Sequence, residues 1–467
     1  MAEQGEGLPV VVIGAGPVGL AAAAHLVERG IEFTVLEAGA EAGAAMREWG
    51  HVRVFSPWRY NVDSAARRLL EREGWSAPDA EALPTGQELV DGYLAPLAKH
   101  PEISPRIGFG HRVTGVSRQG FDRVRTVGRE DAPFVLRVAS EGGELRIKAR
   151  AVIDASGTWG SPNVLGGDGL AASGEGAARA AGVITSALPD VLGAERDGFA
   201  GRRVLVAGAG HSATNTLLAL AQLAEQEPGT RLAWAIRGRL GARVFGGGAD
   251  DELPARGALG SRLRELVDSG RVELLTGFSI DAVHPEADGV RIVALDGREV
   301  TVDRVVSATG FRPDHSIAAE LRVDWDVVLG STRALAPLID PNEHSCGTVP
   351  AHGQEELAHP EPGYYAVGMK SYGRAPTFLM ATGYEQVRSV VAYLDGDIEA
   401  AAEVHLELPE TGVCSANPDE SAGGGACCGT PAPVAVSIGR GLGTGISGGL
   451  LSSPLALLGQ GDEPACC

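Results

Sequence analysis

The sequence is most informative at Val10-Val11-Val12-Ile13-Gly14-Ala15-Gly16-Pro17-Val18-Gly19, where four apolar residues run into a glycine-rich turn. The apolar residues predict a buried strand, and the alanine-rich run from Pro17 to Arg29 predicts a helix with proline at its first position. Gly14 permits a tight turn, Gly16 lets the backbone approach a pyrophosphate, and Gly19 lets helix and strand pack closely. The stretch therefore predicts the start of a doubly wound α/β fold that binds a dinucleotide.

Glu37 supports this interpretation because it ends the next predicted strand, Phe33 to Glu37. An acidic side chain at that point is placed to accept hydrogen bonds from ribose hydroxyls. The alternative is a glycine turn with no ligand. The strand before the turn, the helix after it and the acid beyond argue against that alternative.

A second module repeats the same order later in the chain. The strand Arg203 to Ala207 leads into Gly208-Ala209-Gly210-His211-Ser212-Ala213, followed by a predicted helix near 212–226 and the strand 232–236. The expected dinucleotide contacts in this turn are Gly208, Gly210, Ser212 and Ala213.

The second module differs from the first at the end of its second strand, where Arg237-Gly238-Arg239 stands in place of an acid. Cations at Arg237 and Arg239 suit the 2′-phosphate of NADPH, whereas an acidic residue would favour NADH. The alternative is that both are ordinary solvated arginines. We expect NADPH.

Both modules also close in the same way. The first has a predicted hairpin and strand at 134–139, 145–149 and 151–154, ending in Ala155-Ser156-Gly157-Thr158. The second has strands at 290–295 and 305–307, ending in Ala308-Thr309-Gly310. This internal duplication predicts two doubly wound parallel sheets, one in each module.

Composition limits the partners. Acidic residues outnumber basic ones 60 to 40, so the formal charge is −20, which argues against nucleic acid and against an anionic membrane surface. No apolar run is long enough to span a bilayer, and the first residues lack the features of a signal peptide. We expect a cytoplasmic monomer or homodimer that acts on a small molecule.

The ordered motifs together resemble the flavoproteins with two dinucleotide-binding domains, which include thioredoxin reductase-like enzymes, flavin-containing monooxygenases and related N-hydroxylases. The resemblance covers roughly residues 8–395. It implies FAD at the first turn and NADPH at the second, with hydride passing from nicotinamide to flavin. It also implies FAD-domain segments at 1–160 and 311–405, an inserted NADPH domain at 161–310 and a flexible tail at 406–467.

Further cofactor contacts follow from this resemblance. They are Arg47, Gly157, Gly310 and Gly368. The stretch from Gly363 to Gln386 resembles the final FAD-binding segment of the superfamily, in which Asp often follows the strand-end glycine. Met369 stands at that position here, which leaves the local contact open.

Two branches of the superfamily remain as alternatives. Disulfide reductases need a redox dithiol against the flavin, and no cysteine occurs before Cys346. Monooxygenases carry a G-x-x-x-H-S fingerprint before the second glycine turn, and Gly182 to Ser186 sits where it would be, with Thr185 in place of the histidine. The aromatic and arginine-rich stretch from Met46 to Trp58 either shapes an active site or is a packed loop.

Cysteines are concentrated near the end of the chain. Cys427-Cys428 and Cys466-Cys467 are adjacent pairs, which rarely close a disulfide with each other and lack the usual spacing of structural zinc ligands. Paired thiolates suit As(III) or another thiophilic ion, and Cys346 is a candidate catalytic acceptor for it. Alternatively, the tail cysteines serve redox sensing or have no function and arose by sequence drift. The alternative for Cys346 is a small apolar side chain buried in the core.

Three functions follow from these patterns. The stretches Gly50 to Trp58 and Ser371 to Leu379 resemble flavin-binding monooxygenases found with bacterial arsenic-resistance functions. We therefore favour an NADPH- and FAD-dependent monooxygenase acting on a soft or nucleophilic substrate, above all an arsenic compound. A thiol-linked reductase that uses the tail cysteines and a flavoprotein that binds metalloid without turnover are the alternatives.

Overall fold

The computed structural model describes residues 7–239, 241–245, 251, 253–287, 289–343, 349–376 and 378–406. All of these belong to one compact unit, Met1–Asp419. The second unit, Glu420–Cys467, lies outside the described residues, as does most of the tail predicted at 406–467.

The described chain alternates strands and helices over most of its length. The strands are β1 Val10–Ile13, β2 Phe33–Leu36, β3 Ile107–Gly108, β4 Arg112–Arg118, β5 Phe134–Ser140, β6 Gly143–Ala149, β7 Ala151–Asp154, β8 Ile184–Thr185, β9 Arg203–Ala207, β10 Arg231–Ala235, β11 Val272–Leu275, β12 Ile280–Glu286, β13 Gly289–Ala294, β14 Glu299–Val302, β15 Arg304–Ser307 and β16 Tyr364–Ala366. The α-helices are α1 Pro17–Glu28, α2 Ala44–Arg47, α3 Ser64–Arg72, α4 Gly86–Leu89, α5 Ala95–Ala98, α6 Glu175–Ala180, α7 His211–Gln226, α8 Pro254–Asp268, α9 Ala336–Ile339, α10 Gln354–Leu357, α11 Met380–Leu394 and α12 Ile398–Ala402.

The first sheet has the order β16-β7-β1-β2-β3, and all its strands are parallel. Val10 aligns with Phe33 on one side and with Ala151 on the other. Alternate residues of β1 point to opposite faces, so one set packs against α1 and α11 and the other against the antiparallel ribbon β4-β5-β6. Both faces are covered, which explains why the strand is apolar throughout.

The second sheet repeats this plan with the order β11-β10-β9-β15-β8. It is covered by α7 and α8 on one face and by the antiparallel ribbon β12-β13-β14 on the other. The predicted fold class, two Rossmann-like doubly wound modules, is confirmed. The predicted hairpin β5-β6 is part of a three-stranded ribbon, because β4 adds a strand that the sequence pattern did not reveal. In the second module the strand at 290–295 was predicted, and its two partners β12 and β14 were not.

Two connections join the modules, and they pair with each other. The backbone N–H of Asn163 donates to the carbonyl of Gly310 at 2.9 Å, and that of Arg312 donates to Ser161 at 3.0 Å. The Asn163 side chain adds a bond to the Thr309 carbonyl at 3.0 Å. The returning chain then supplies β16, which pairs in parallel with β7 and completes the first sheet.

Candidate functional site

The first glycine turn has the geometry of an open cradle. Gly14 has φ +100°, and a Cβ on it would lie 2.8 Å from the carbonyl oxygen of Ala155. A Cβ on Gly19 would lie 1.9 Å from the oxygen of Gly14, so helix and turn touch at that point. Around Gly16, by contrast, no atom lies within 4 Å of the equivalent position. The turn therefore leaves free space where α1 begins, as a bound pyrophosphate requires.

Glu37 lies directly beside this turn at the end of β2. Its carboxylate accepts from the backbone N–H of Ala15 at 2.6 Å and from that of Gly39 at 2.7 Å. These two bonds hold the carboxylate at the place where an adenosine ribose would lie in a fold of this kind. Pro17 opens α1, as the sequence predicts.

Two further glycines line the opposite side of the turn. Gly157, after β7, has φ +70° and open space in place of a side chain. Gly368, after β16, has φ +68°, and a Cβ there would come within 3.2 Å of Val18 in the first turn of α1. Gly14, Gly157 and Gly368 adopt a backbone conformation that favours glycine, so the turns can meet at one edge of the sheet.

A buried ion pair ties these turns together, and the sequence pattern did not reveal it. Lys370 Nζ lies 2.7 Å from Asp154 Oδ2 and 3.0 Å from Ser156 Oγ. The hydroxyls of Tyr364 and Ser156 also donate to Asp154, at 2.8 and 2.6 Å. Burial opposes the charge on Asp154, but the charge of Lys370 and these hydrogen bonds lower its pKa below the ordinary value.

The second glycine turn repeats the geometry of the first. Gly208 has φ +130°, and a Cβ there would lie 2.0 Å from the oxygen of Ala308. Gly210 has open space around it, and α7 begins at the next residue. Trp234 Nε1 donates to the Gly208 carbonyl at 2.7 Å and holds the turn against β10. The predicted contacts Ser212 and Ala213 lie in the first turn of α7.

A cavity of about 690 Å³ opens at this second turn. Its wall combines residues of the second module with Met369, Arg374 and Pro376 of the returning segment. The cavity therefore reaches from the second glycine turn to the segment that begins at Gly368. This places the second turn and the returning segment around one space.

Four arginines face this cavity: Arg237, Arg239, Arg312 and Arg374. The first two are those that the sequence predicts at the end of the second strand. Arg237 also donates to the Gly167 carbonyl at 3.2 Å, and Arg312 Nε donates to Asn163 Oδ1 at 3.0 Å. The described wall carries neither a carboxylate nor a thiol, so in this acidic protein the cavity suits an anionic ligand.

The aromatic stretch from Met46 to Trp58 packs against both modules. The ring centroids of Trp49 and Trp159 are 6.5 Å apart, and Trp159 lies 4.9 Å from Phe311. Phe55 contacts His211 of the second glycine turn at 4.8 Å. The stretch is therefore a packed segment with contacts at the second glycine turn.

Arg47 lies in the same stretch and is ion-paired with Glu41 at 2.6 Å and with Asp91 at 3.1 Å. Its assignment to the cofactor stays a prediction. The predicted residues Cys346, Cys427, Cys428, Cys466 and Cys467 lie outside the described residues.

Within the described ranges, no group of three potential metal ligands comes together. No helix in the same ranges has both the length and the apolar composition needed to cross a membrane.

The family model for pyridine nucleotide-disulphide oxidoreductases matches residues 11–328. The chain belongs to this family. The match spans both glycine turns and confirms the superfamily resemblance. Members are flavin-dependent oxidoreductases, so the chain is an enzyme of this type with FAD and NADPH as cofactors. The two open glycine turns fit two dinucleotides.

Individual relatives have different activities. The chain is 25% identical over 405 residues to a ferredoxin–NADP reductase of Rhodospirillum rubrum, covering 86% of this chain and 95% of the relative. It is 30% identical over 215 residues to the indole-3-pyruvate monooxygenase YUCCA1 of Oryza sativa subsp. japonica, covering 45% and 44%. The bacillithiol disulfide reductase Bdr of Bacillus cereus shares the fold, with a TM-score of 0.61 at 17% identity over 83% of this chain and 99% of that one.

Proposed function

We propose that this enzyme is an NADPH-driven flavin monooxygenase that acts on a soft or nucleophilic small molecule, with arsenic compounds as the favoured substrates. The composition of the cavity wall is the main support for this proposal. Its described wall offers Met369, Phe311 and four arginines but no thiol, so a reductase mechanism lacks its dithiol at that surface. The partial similarity to an indole-3-pyruvate monooxygenase supports the same branch.

We assign FAD to the first glycine turn and its neighbours. The residues that would hold it are Gly14, Gly16, Pro17, Gly19, Glu37, Arg47, Gly157 and Gly368. Gly16 leaves room for the pyrophosphate, and Glu37 accepts from the ribose. The FAD domain would comprise residues 1–160 and 311–405.

We assign NADPH to the second turn, within an inserted domain at 161–310. The residues that would hold it are Gly208, Gly210, Ser212, Ala213, Arg237, Arg239 and Gly310. Arg237 and Arg239 would neutralise the 2′-phosphate. When both cofactors are bound, the nicotinamide supplies hydride and the flavin supplies the redox chemistry.

The protein's own contribution is positioning and charge. The arginines of the wall would attract the phosphates, and the aromatic contacts of Trp49, Trp159 and Phe311 would exclude water from the space between the modules. Since the described wall carries no carboxylate, we assign no general base.

The test is to measure NADPH oxidation and oxygen consumption by the purified protein with arsenite, an organic arsenical, an amine and a sulfide. Stimulation of both rates by an arsenical is expected. Stimulation only by the amine or the sulfide would reject the arsenic part. NADPH oxidation that requires a disulfide, without oxygen uptake, would instead establish a reductase.

The tail cysteines enter the proposal as a capture site for a thiophilic ion, with Cys346 as its inner acceptor. Their thiolates are soft ligands of the kind that binds As(III), and this supports the role. Replacing Cys427, Cys428, Cys466 and Cys467 with Ser should abolish As(III) binding by the protein while NADPH still reduces the flavin. Loss of all turnover with disulfide substrates in that variant would favour the thiol-linked reductase, and unchanged As(III) binding would exclude the capture role.

A further inference from the structure

His211 is the first residue of α7 and follows Gly210 directly in the second glycine turn. Its side chain is open to the 690 Å³ cavity and forms part of the wall. Neither nitrogen of its ring has a hydrogen-bond partner among the described residues. The ring therefore offers both nitrogens to whatever the cavity holds.

The position of the ring is set by packing from the other module. Phe55 covers it, with ring centroids 4.8 Å apart and planes inclined at 41°. The guanidinium of Arg256 lies 5.9 Å from the same Phe55 ring and forms an ion pair with Asp251 at 2.8 Å. The ring of His211 is thus held at the start of α7 by contact with its apolar face, while its nitrogen atoms have no hydrogen-bond partner among the described residues.

The charges around the ring are mostly positive. Arg256 of α8 faces it from one side, and Asp251 partly offsets that charge. The cavity side carries Arg237, Arg239 and Arg312, and the N-terminus of α7 adds its own partial positive charge. One edge of the ring is open to the cavity, but the surrounding protein removes water from the rest of it. This loss of water and the charge of Arg256 lower the pKa of His211 to about 4, so the ring is neutral at pH 7 without a ligand.

We propose that His211 is a binding residue for the pyrophosphate of NADPH and that its ring takes up one proton from solvent as the dinucleotide binds. The proposal rests on the assignment of NADPH to this turn. A pyrophosphate at the start of α7 brings negative charge to a ring whose neighbours repel a proton. The protonated ring then has two N–H donors, and one can form a charge-assisted hydrogen bond to the phosphate oxygen.

Proton uptake by His211 and nucleotide binding strengthen each other. Binding raises the pKa of the ring from its value in the free protein, so the complex carries more protons than the free species at intermediate pH. The dissociation constant should therefore fall as the pH is lowered, by at most about tenfold per pH unit between the two pKa values. The 2′-phosphate of the nucleotide also titrates near neutral pH, and a matched variant removes its contribution.

The experiment is isothermal titration of the FAD-loaded protein with NADP⁺ at pH 6.5, in two buffers of different ionisation enthalpy. NADP⁺ is used because it binds without reducing the flavin. The His211→Asn variant keeps a polar side chain of similar reach but cannot take up a proton. We expect the natural protein to take up more protons than this variant, by up to one per nucleotide, and to bind several-fold more tightly at pH 6 than at pH 8.

The control is His405→Asn, which changes an exposed histidine outside the cavity wall and should leave proton uptake unchanged. Equal proton uptake in the natural protein and in His211→Asn, with NADP⁺ still bound, would overturn this proposal and leave the NADPH assignment standing. An absence of NADP⁺ binding would overturn both. Neither result depends on oxygen transfer, because the titration involves neither oxygen nor substrate.

Discussion

Gly16 and Gly19 are three residues apart in the first glycine turn, but the fold itself requires glycine only at Gly19. At Gly19 a side chain would collide with the backbone of Gly14, whereas at Gly16 it would meet only open space. Gly19 is therefore needed by the fold. Gly16 would be needed only by a ligand, which makes the pair a direct test of the FAD assignment.

Gly16→Ala should fold normally and bind FAD weakly, because the added methyl group occupies the space assigned to the pyrophosphate. Overpacking of this kind costs about 1–3 kcal/mol, or about ten- to hundredfold in affinity. Gly19→Ala should instead lower the free energy of unfolding by about 3 kcal/mol. Flavin absorbance after gel filtration and urea unfolding separate the two effects. Full FAD retention in Gly16→Ala would contradict the assignment.

The ion pair of Asp154 and Lys370 leads to a stability prediction. Lys370→Met leaves a carboxylate buried without its partner and should cost about 3–5 kcal/mol of unfolding free energy, whereas the double variant Asp154→Leu with Lys370→Met should recover most of it. The pKa of Asp154 is lowered in the folded state, so its contribution is present above the unfolded pKa and is lost as the pH falls. Urea unfolding of the natural protein and of both variants at pH 7 and pH 4 checks both statements. Equal costs in the single and double variants would rule out the pair as the cause.

At the scale of elements, the strand ends beside the two glycine turns carry opposite charges. β10 ends at Ala235, and the residues that follow direct Arg237 and Arg239 to the cavity. The corresponding position after β2 holds Glu37, which is bonded to the glycine turn. Two strands with the same place in their sheets thus present opposite charges, in line with two different dinucleotides.

Replacing Arg237 and Arg239 with Ala should weaken NADPH binding by at least about tenfold, since even one charge-assisted hydrogen bond contributes about 1.5–3 kcal/mol. NADH lacks the 2′-phosphate, so its KM should change little. The measurement is the KM for both nucleotides in flavin reduction. Arg271→Ala, which removes an exposed ion pair with Glu225, is the control. An equal loss with NADH and NADPH would show that these arginines do not read the 2′-phosphate.

At the scale of the whole molecule, buried neutral histidines make the fold sensitive to acid. Burial lowers the pKa of His359 to about 4, and it also lowers those of His315 and His352. His359 lies against Trp325 and accepts a hydrogen bond from the backbone of Asp324 at 3.2 Å. All three rings must gain a proton when the chain unfolds below about pH 6.5.

The unfolding free energy should therefore fall between pH 7.5 and pH 5. A folded pKa below the unfolded one means that the stability is present above pH 6.5 and is lost on acidification. His359 alone accounts for about 2 kcal/mol at pH 5. Urea titrations at both pH values measure the slope, and His359→Gln should reduce it while preserving an acceptor for Asp324. An unchanged slope would show that His359 does not contribute.

Much of the secondary structure was predictable because it depends on neighbours in sequence. The first helix was predicted at 17–29 and runs Pro17–Glu28, ending before Gly30 at φ +63°. The second was predicted at 212–226 and runs His211–Gln226. β4 and β12 were missed although each pairs with the strand that follows it in the chain, because Gly115 and Pro285 interrupt their strand patterns.

The sequence by itself determined two glycine turns, the order of strands and helices around them, and the charge at each strand end. These features depend on residues close together in the sequence: glycine where the backbone is left-handed or where helix and strand touch, and apolar residues at the spacing of a strand. Only the tertiary structure decided that Lys370 meets Asp154 across 216 residues, that Phe55 covers His211, and that Arg312 and Arg374 join the predicted arginines. The physical reason is that such contacts join segments distant in the chain, which meet only when the first sheet is completed and the two modules pack together, and the spacing of residues along the chain does not encode this.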